Sequence, residues 1–148
     1  MKKFLLILTI FQFYWVYSQS PEAGMFLTLS VEKSTYNYQT KRFEGMGSIE
    51  TRTGEKAFKI SQYTILMLND GWLGKDYKTT TTYKVNSRSR VNQTNEVSIY
   101  EYLTPHGCKF LIYVSNSDYN MAIIEIYENY FNGVYNNLTS YVVQRFYI

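Results

Sequence analysis

Val97-Ser-Ile-Tyr-Glu-Tyr-Leu103, Thr104-Pro-His-Gly107 and Cys108-Lys-Phe-Leu-Ile-Tyr-Val114 decide the fold: two runs of alternating residues flank a Pro/Gly reversal. Pro fixes φ and Gly tolerates positive φ, so the chain turns there and the runs form an antiparallel hairpin. A four-residue turn sets Leu103 opposite Cys108, Glu101 opposite Phe110, Ile99 opposite Ile112 and Val97 opposite Val114. Ser115-Asn-Ser-Asp118 closes a second hairpin, with Val114 opposite Tyr119, Ile112 opposite Met121 and Phe110 opposite Ile123. An even closure of the Asn129–Leu138 connection sets Thr139 opposite Glu128, and the meander runs on to Ile148.

This register sorts the side chains into two faces, because alternate residues leave a strand on opposite sides. Face one holds Val97, Ile99, Leu103, Cys108, Phe110, Ile112, Val114, Met121, Ile123, Val142, Phe146 and Ile148, which has the composition of a core. Face two holds Tyr100, Tyr102, Leu111, Tyr113, Ala122, Ile124, Ile126, Tyr141, Val143 and Tyr147, with Arg145 set opposite Ala122. It is too apolar for plain solvent, so a second sheet, a ligand or a partner should cover it.

Upstream, Ala23–Glu32 and Ala57–Leu68 alternate as half-buried strands, and Phe43–Arg52 is a weaker strand whose Gly45 and Gly47 predict a bulge or a close backbone approach. Asn69-Asp-Gly71 marks a turn, and Tyr77–Val85 reads as an edge or solvent-facing strand. Asn86–Glu96 reads as a polar loop. The sum is an all-β antiparallel meander of about eight strands forming a small open or closed barrel, with a β-sandwich as the alternative.

Residues 1–18 combine Met-Lys-Lys, the apolar stretch Phe4–Tyr17 and a Ser-Gln junction, the pattern of a secretory signal peptide. Residues 19–148 then form one all-β domain, exported to a periplasm or outside the cell. The Lys-Lys start and the junction resemble Gram-negative bacterial export signals. With no Cys at the junction a lipid anchor is not expected, and membrane contact ends with the signal peptide. Removing residues 1–18, with two lysines and no acid, lowers the formal charge from +3 to +1. A phosphate-binding basic stripe is missing, which argues against nucleic acid.

One Cys rules out an internal disulfide, and one Cys with one His is too little for a Cys/His metal centre, so neither metal nor cofactor is expected; the lone His106, in a turn, does not readily supply a Ser-His-Asp arrangement. Asn92-Gln-Thr and Asn137-Leu-Thr match the glycosylation acceptor pattern, which carries little weight in a bacterial host. Glu101 and Glu125, placed on face one, are the only pair suggesting glycoside hydrolysis, and no further polar constellation supports them. Catalysis is not expected.

Arg145-Phe146-Tyr147 resembles the Arg-x-Tyr with which fatty-acid-binding proteins, relatives of the lipocalins in the calycin group, hold a ligand carboxylate. The resemblance implies that Arg145 pairs with a carboxylate and Tyr147 donates to it. No helical lid is visible after the first strand, and Gly71-Trp72 falls mid-chain rather than on the first strand, where lipocalins carry Gly-x-Trp. The expected function is a secreted, non-catalytic binding domain that holds a small apolar acid on the Tyr-rich face. Arg145, Tyr147, Tyr113, Tyr100 and Trp72 are the ligand-binding candidates. The alternative is a glycan- or protein-binding surface, because Tyr and Trp offer large contact area with few torsions to freeze; an outer-membrane barrel ranks below both.

Overall fold

The computed structural model describes residues 20–49, 53–69, 71 and 76–146. Ten strands form one antiparallel sheet: β1 (Gly24–Asn37), β2 (Arg42–Ile49), β3 (Ala57–Ile60), β4 (Thr64–Asn69), β5 (Lys78–Lys84), β6 (Ser87–Gln93), β7 (Val97–Leu103), β8 (Lys109–Ser115), β9 (Met121–Phe131) and β10 (Val134–Phe146). The hydrogen-bonded order is β5-β4-β3-β1-β10-β9-β8-β7-β6, with β2 also paired to β1.

These ten strands are eight up-and-down legs. β3 pairs with Gly24–Leu27 and β2 with Val31–Asn37, so both lie along the same side of β1. β5 and β6 are likewise one descending leg, interrupted at Val85 and Asn86. Val85 N–H donates to Tyr63 C=O at 2.8 Å beside β4, and Asn86 N–H donates to Leu103 C=O at 2.8 Å beside β7. The leg thus steps from one end of the sheet to the other. Such a stagger is what rolling a sheet requires.

Rolling is also required by the contacts. Tyr83 on β5 and Phe110 on β8 lie six strand spacings apart along the path, roughly 28 Å on a flat sheet. Their ring centroids are 4.9 Å apart. Phe58 on β3 meets Tyr141 on β10 at 4.8 Å. The ladder is not closed, since β5 and β6 do not pair with each other, and the result is an open barrel. Phe26, Phe58, Ile65, Tyr102, Phe110, Ile112, Val114, Ile124 and Val143 fill its interior, each without solvent exposure.

Alternation within β7 to β10 holds as expected, but the pairing corrects the faces. Tyr102 faces Phe110, Tyr100 faces Ile112, and Val114 faces Ala122 rather than Tyr119. The first connection is a three-residue hairpin loop, Pro105-His106-Gly107, closed by a Thr104–Cys108 pair. Thr104 N–H donates to Cys108 C=O at 3.1 Å, and Gly107 takes φ 78°. This is the three-residue loop with Gly in the left-handed position. One residue of slip there, and three at the second hairpin, each turn a strand over, so β8 alone is inverted relative to β7, β9 and β10. At the last hairpin Thr139 faces Ile126 instead of Glu128, an even slip that preserves the face.

The core face therefore combines Tyr100, Tyr102, Ala122, Ile124, Ile126, Tyr141 and Val143 with Phe110, Ile112 and Val114. The face expected to need a cover is mostly the barrel's inside. Val97, Ile99, Leu103, Met121 and Ile123 line the outside instead, with Ile123 42% exposed. Cys108, expected in the core beside Leu103, is half-buried at the core's margin.

Asn86–Glu96 is a second correction, because it holds β6 rather than a loop. Its residues are exposed along almost the whole strand, so no apolar alternation marks it. Main-chain pairing to β7 alone makes it a strand. The bulge expected near Gly45 and Gly47 is present, as a register shift between Glu32 and Ser34 where β2 pairs with β1.

Candidate binding surface

The expected ligand residues do not converge. Tyr100 is in the core, 5% exposed, while Tyr113 is on the outer face. Trp72 and Tyr147 lie outside the described residues. Arg145 is at the mouth where β1 begins, and its guanidinium is engaged by the main chain. Nε donates to Tyr119 C=O at 3.1 Å, Nη1 to Ala23 C=O at 2.6 Å and Nη2 to Pro21 C=O. The group also lies 4.8 Å from the centroid of Phe26, its cross-strand partner. At Gly24 the backbone takes φ 133°, and a β-carbon there would come within 2.8 Å of Arg145 Nη1. Only glycine fits this approach without strain.

Arg145 thereby clamps the segment preceding β1, and Glu22 secures the same segment from the other side. Glu22 is fully buried and pairs with Arg88 of β6, whose Nε lies 2.5 Å from Glu22 Oε1. Tyr102 Oη donates to the same oxygen at 3.0 Å. Segment 20–23 therefore straps the mouth from β10 across to β6 and β7. Glu22 Oε2 is buried with no hydrogen-bond partner among the described residues. Sequence offered no sign of this group, since a lone acid ahead of a first strand reads as solvated.

Glu101 and Glu125 do share a face, with β8 between them, but it is the outer one. Both lie in a row with Leu111, and neither faces Phe110. Tyr113 and Tyr127 donate to Glu125 Oε2 at 2.8 and 2.7 Å. Two phenols on one carboxylate oxygen make Glu125 an anchor for those rings.

From Tyr127 a string of aromatic rings continues over the outer, extended end of the sheet. Phe43 on β2 meets Tyr127 at 5.8 Å, Tyr36 meets Phe43 at 5.4 Å, and Tyr38 meets Tyr36 at 5.2 Å. In the other direction Tyr135 lies 5.8 Å from Tyr127 and 4.9 Å from Tyr130. Lys109 Nζ stands 4.5 Å and 5.1 Å from the Tyr127 and Tyr135 centroids. These packings are edge-on or tilted, the arrangement that ring quadrupoles favour. Tyr38 donates to Asn136 Oδ1, and Asn136 Nδ2 donates to Asn129 C=O at 2.9 Å, which ties the β1–β2 and β9–β10 hairpins together. Tyr38, Tyr130 and Phe131 remain 55%, 58% and 63% exposed. The Tyr content hinted at such a strip, but only long-range pairing of β1, β2, β9 and β10 assembles it.

Seven phenols have raised pKa values, and at four of them the rise is large. Burial is the leading cause at Tyr102, Tyr113, Tyr127 and Tyr141. The Glu22 charge adds to it at Tyr102, and hydrogen bonding to Glu125 at Tyr113 and Tyr127. Tyr141 is pushed up to about 12. A folded-state value above the unfolded one gives stability that is complete below the ordinary phenol value of about 10 and is lost as pH rises through the folded values. Absorbance titration of the phenolates should therefore show these four ionising only with alkaline unfolding. Uniform titration near the ordinary value, with the fold intact, would contradict their placement.

No protein-family model, no curated protein and no solved structure matches the chain.

Proposed function

We propose that the protein is an exported, non-catalytic binding domain whose barrel is a filled scaffold and whose recognition surface is the aromatic strip on its outer, extended end. One observation carries this reading: six rings contact one another in series across four strands, and Tyr38 and Tyr130, together with neighbouring Phe131, stay more than half exposed. Exposed aromatics held in place by strands are costly to solvate, and they lose little torsional freedom when a partner covers them.

A small ligand held inside the barrel is the second reading. It is favoured by the up-and-down order with first and last strands paired, an arrangement in keeping with the resemblance to fatty-acid-binding proteins and lipocalins. Two observations weigh against it. The interior side chains fill the barrel without exposure, and Arg145 gives three of its five N–H donors, one from each nitrogen, to main-chain carbonyls. A membrane barrel would need a polar interior and an apolar belt, whereas this interior is built of Phe, Ile, Val and Tyr.

Native mass spectrometry of the purified mature protein separates the two readings. The surface reading expects the mass of the bare chain. A retained small molecule released on unfolding would replace it with the interior reading.

A further inference from the structure

We propose that Arg88 and Tyr102 form a carboxylate-binding site at the barrel mouth, closed in this structure by the chain's own Glu22, so that a small external carboxylic acid and the strap compete for it. The proposal is independent of the surface reading, which concerns the other end of β1. The receptor holds its shape without Glu22. Arg88 and Tyr102 are cross-strand partners on β6 and β7, Arg88 Nε donates to Tyr102 Oη at 3.2 Å, and the guanidinium carbon lies 5.5 Å from the Tyr100 centroid. A guanidinium beside a phenol, held by strands and by an aromatic ring, is preorganised for a carboxylate. Its charge agrees with this. Arg88 and Arg90 both bear on Tyr100, and Glu22 is the one described acid that does, so the mouth is cationic once the strap is away.

Glu22 fills this receptor incompletely. Nε and Nη2 of Arg88 and the Tyr102 hydroxyl all converge on Oε1, while the buried Oε2 has no hydrogen-bond partner among the described residues. The Nε–Nη2 edge of a guanidinium carries two parallel N–H groups that match the two oxygens of one carboxylate. Glu22, tethered at the strap, turns only one oxygen to that edge. An untethered acid can offer both, so the site suits a free carboxylate better than the one that occupies it. The strap is also placed to leave. Sheet pairing starts at Gly24, opposite Ile60, and the one main-chain to main-chain hydrogen bond of residues 20–23 among the described residues, Ala23 N–H to Ser20 C=O at 2.9 Å, lies within the strap itself. Side chains hold the rest: Arg88 and Tyr102 on Glu22, and Arg145 on the Pro21 and Ala23 carbonyls. Swinging about Gly24 therefore breaks no ladder bond, and an acid that takes the place of Glu22 at the mouth needs no room in the filled interior.

Titration of the mature protein and of its Glu22→Gln and Glu22→Ala variants with sodium butyrate at neutral pH tests this, against sodium chloride at equal ionic strength and against neutral butyramide. The thermal midpoint and the Arg88 Nε–H resonance are read together. In both variants butyrate alone should raise the midpoint and shift the resonance, because a ligand of the folded state stabilises it. The parent should need at least about tenfold more butyrate, since its strap leaves the site open only a fraction of the time. Adding Arg88→Met to Glu22→Gln should abolish the midpoint response. Glu22→Gln keeps the side chain's volume, so it decides the matter if Glu22→Ala does not fold. Equal effects of butyrate, chloride and butyramide on Glu22→Gln would overturn the proposal and leave Glu22 and Arg88 a purely structural pair. So would a response that survives Arg88→Met, or a parent that saturates at the same concentration as Glu22→Gln.

Discussion

Replacing Glu22 by Ala should cost about 3–5 kcal/mol of folding stability, because it leaves the Arg88 guanidinium and the Tyr102 hydroxyl without their acceptor in a water-poor site. Glu22 is completely buried, and Arg88 keeps only 27% of its side-chain exposure. The loss should appear as a lower denaturant midpoint with an unchanged slope, which marks a change in stability rather than in the surface exposed on unfolding. Replacing both partners by apolar residues of similar size, Glu22→Leu with Arg88→Met, should recover much of that loss. The pair attracts strongly but also carries the desolvation of two ions and an unsatisfied Glu22 Oε2. A Glu22→Ala protein as stable as the parent would show that the strap does not hold the barrel mouth.

Arg145→Ala should be nearly as damaging, on the order of 3 kcal/mol, since three carbonyls lose a charged donor and Phe26 loses the cation above it. For a domain of this size that corresponds to a thermal midpoint lower by about 10 °C. Arg145→Lys should recover little of it. An ammonium is a single point, and it cannot reach Pro21, Ala23 and Tyr119 with the fixed fork that the guanidinium provides. Were Arg145 instead a ligand's carboxylate partner, Arg145→Ala would keep the parent's midpoint and lose only binding. Differential scanning calorimetry on the two variants decides between these outcomes.

The sequence made the strands legible where one side of the chain meets the core. β7, β8 and β9 alternate residue by residue, so their existence and their two-sidedness could be read directly, and β10 and β1 were visible for the same reason; which side of β7 and β9 meets the core was read the wrong way round. Register was less legible. A Pro-His-Gly loop and a Thr-Pro-His-Gly turn differ by one residue, and that difference decides whether Phe110 sits with Tyr102 or with Glu101. β6 was illegible because both its faces meet solvent; its structure comes from main-chain bonds that leave no mark on side-chain pattern.

The candidate surface was legible in chemistry but not in place. Tyr abundance suggested recognition by rings, yet the face chosen from the register turned out to be mostly the inside of the barrel. Arg145 was recognisable as a cation requiring acceptors. That two of the three acceptors are carbonyls more than a hundred residues earlier in the chain follows only from the pairing of β10 with β1. Tyr38 and Asn136, 98 residues apart, meet for the same reason.

The most direct test of this account is which strand positions are partners across β7, β8 and β9, because that register decides whether the tyrosine-rich face is core or binding site. Nuclear Overhauser contacts across the backbone should link Tyr102 to Phe110, Tyr100 to Ile112, and Ile112 to Ile124. Contacts linking Glu101 to Phe110, Ile99 to Ile112, and Ile112 to Met121 would contradict it, returning Tyr100 and Tyr113 to one shared face.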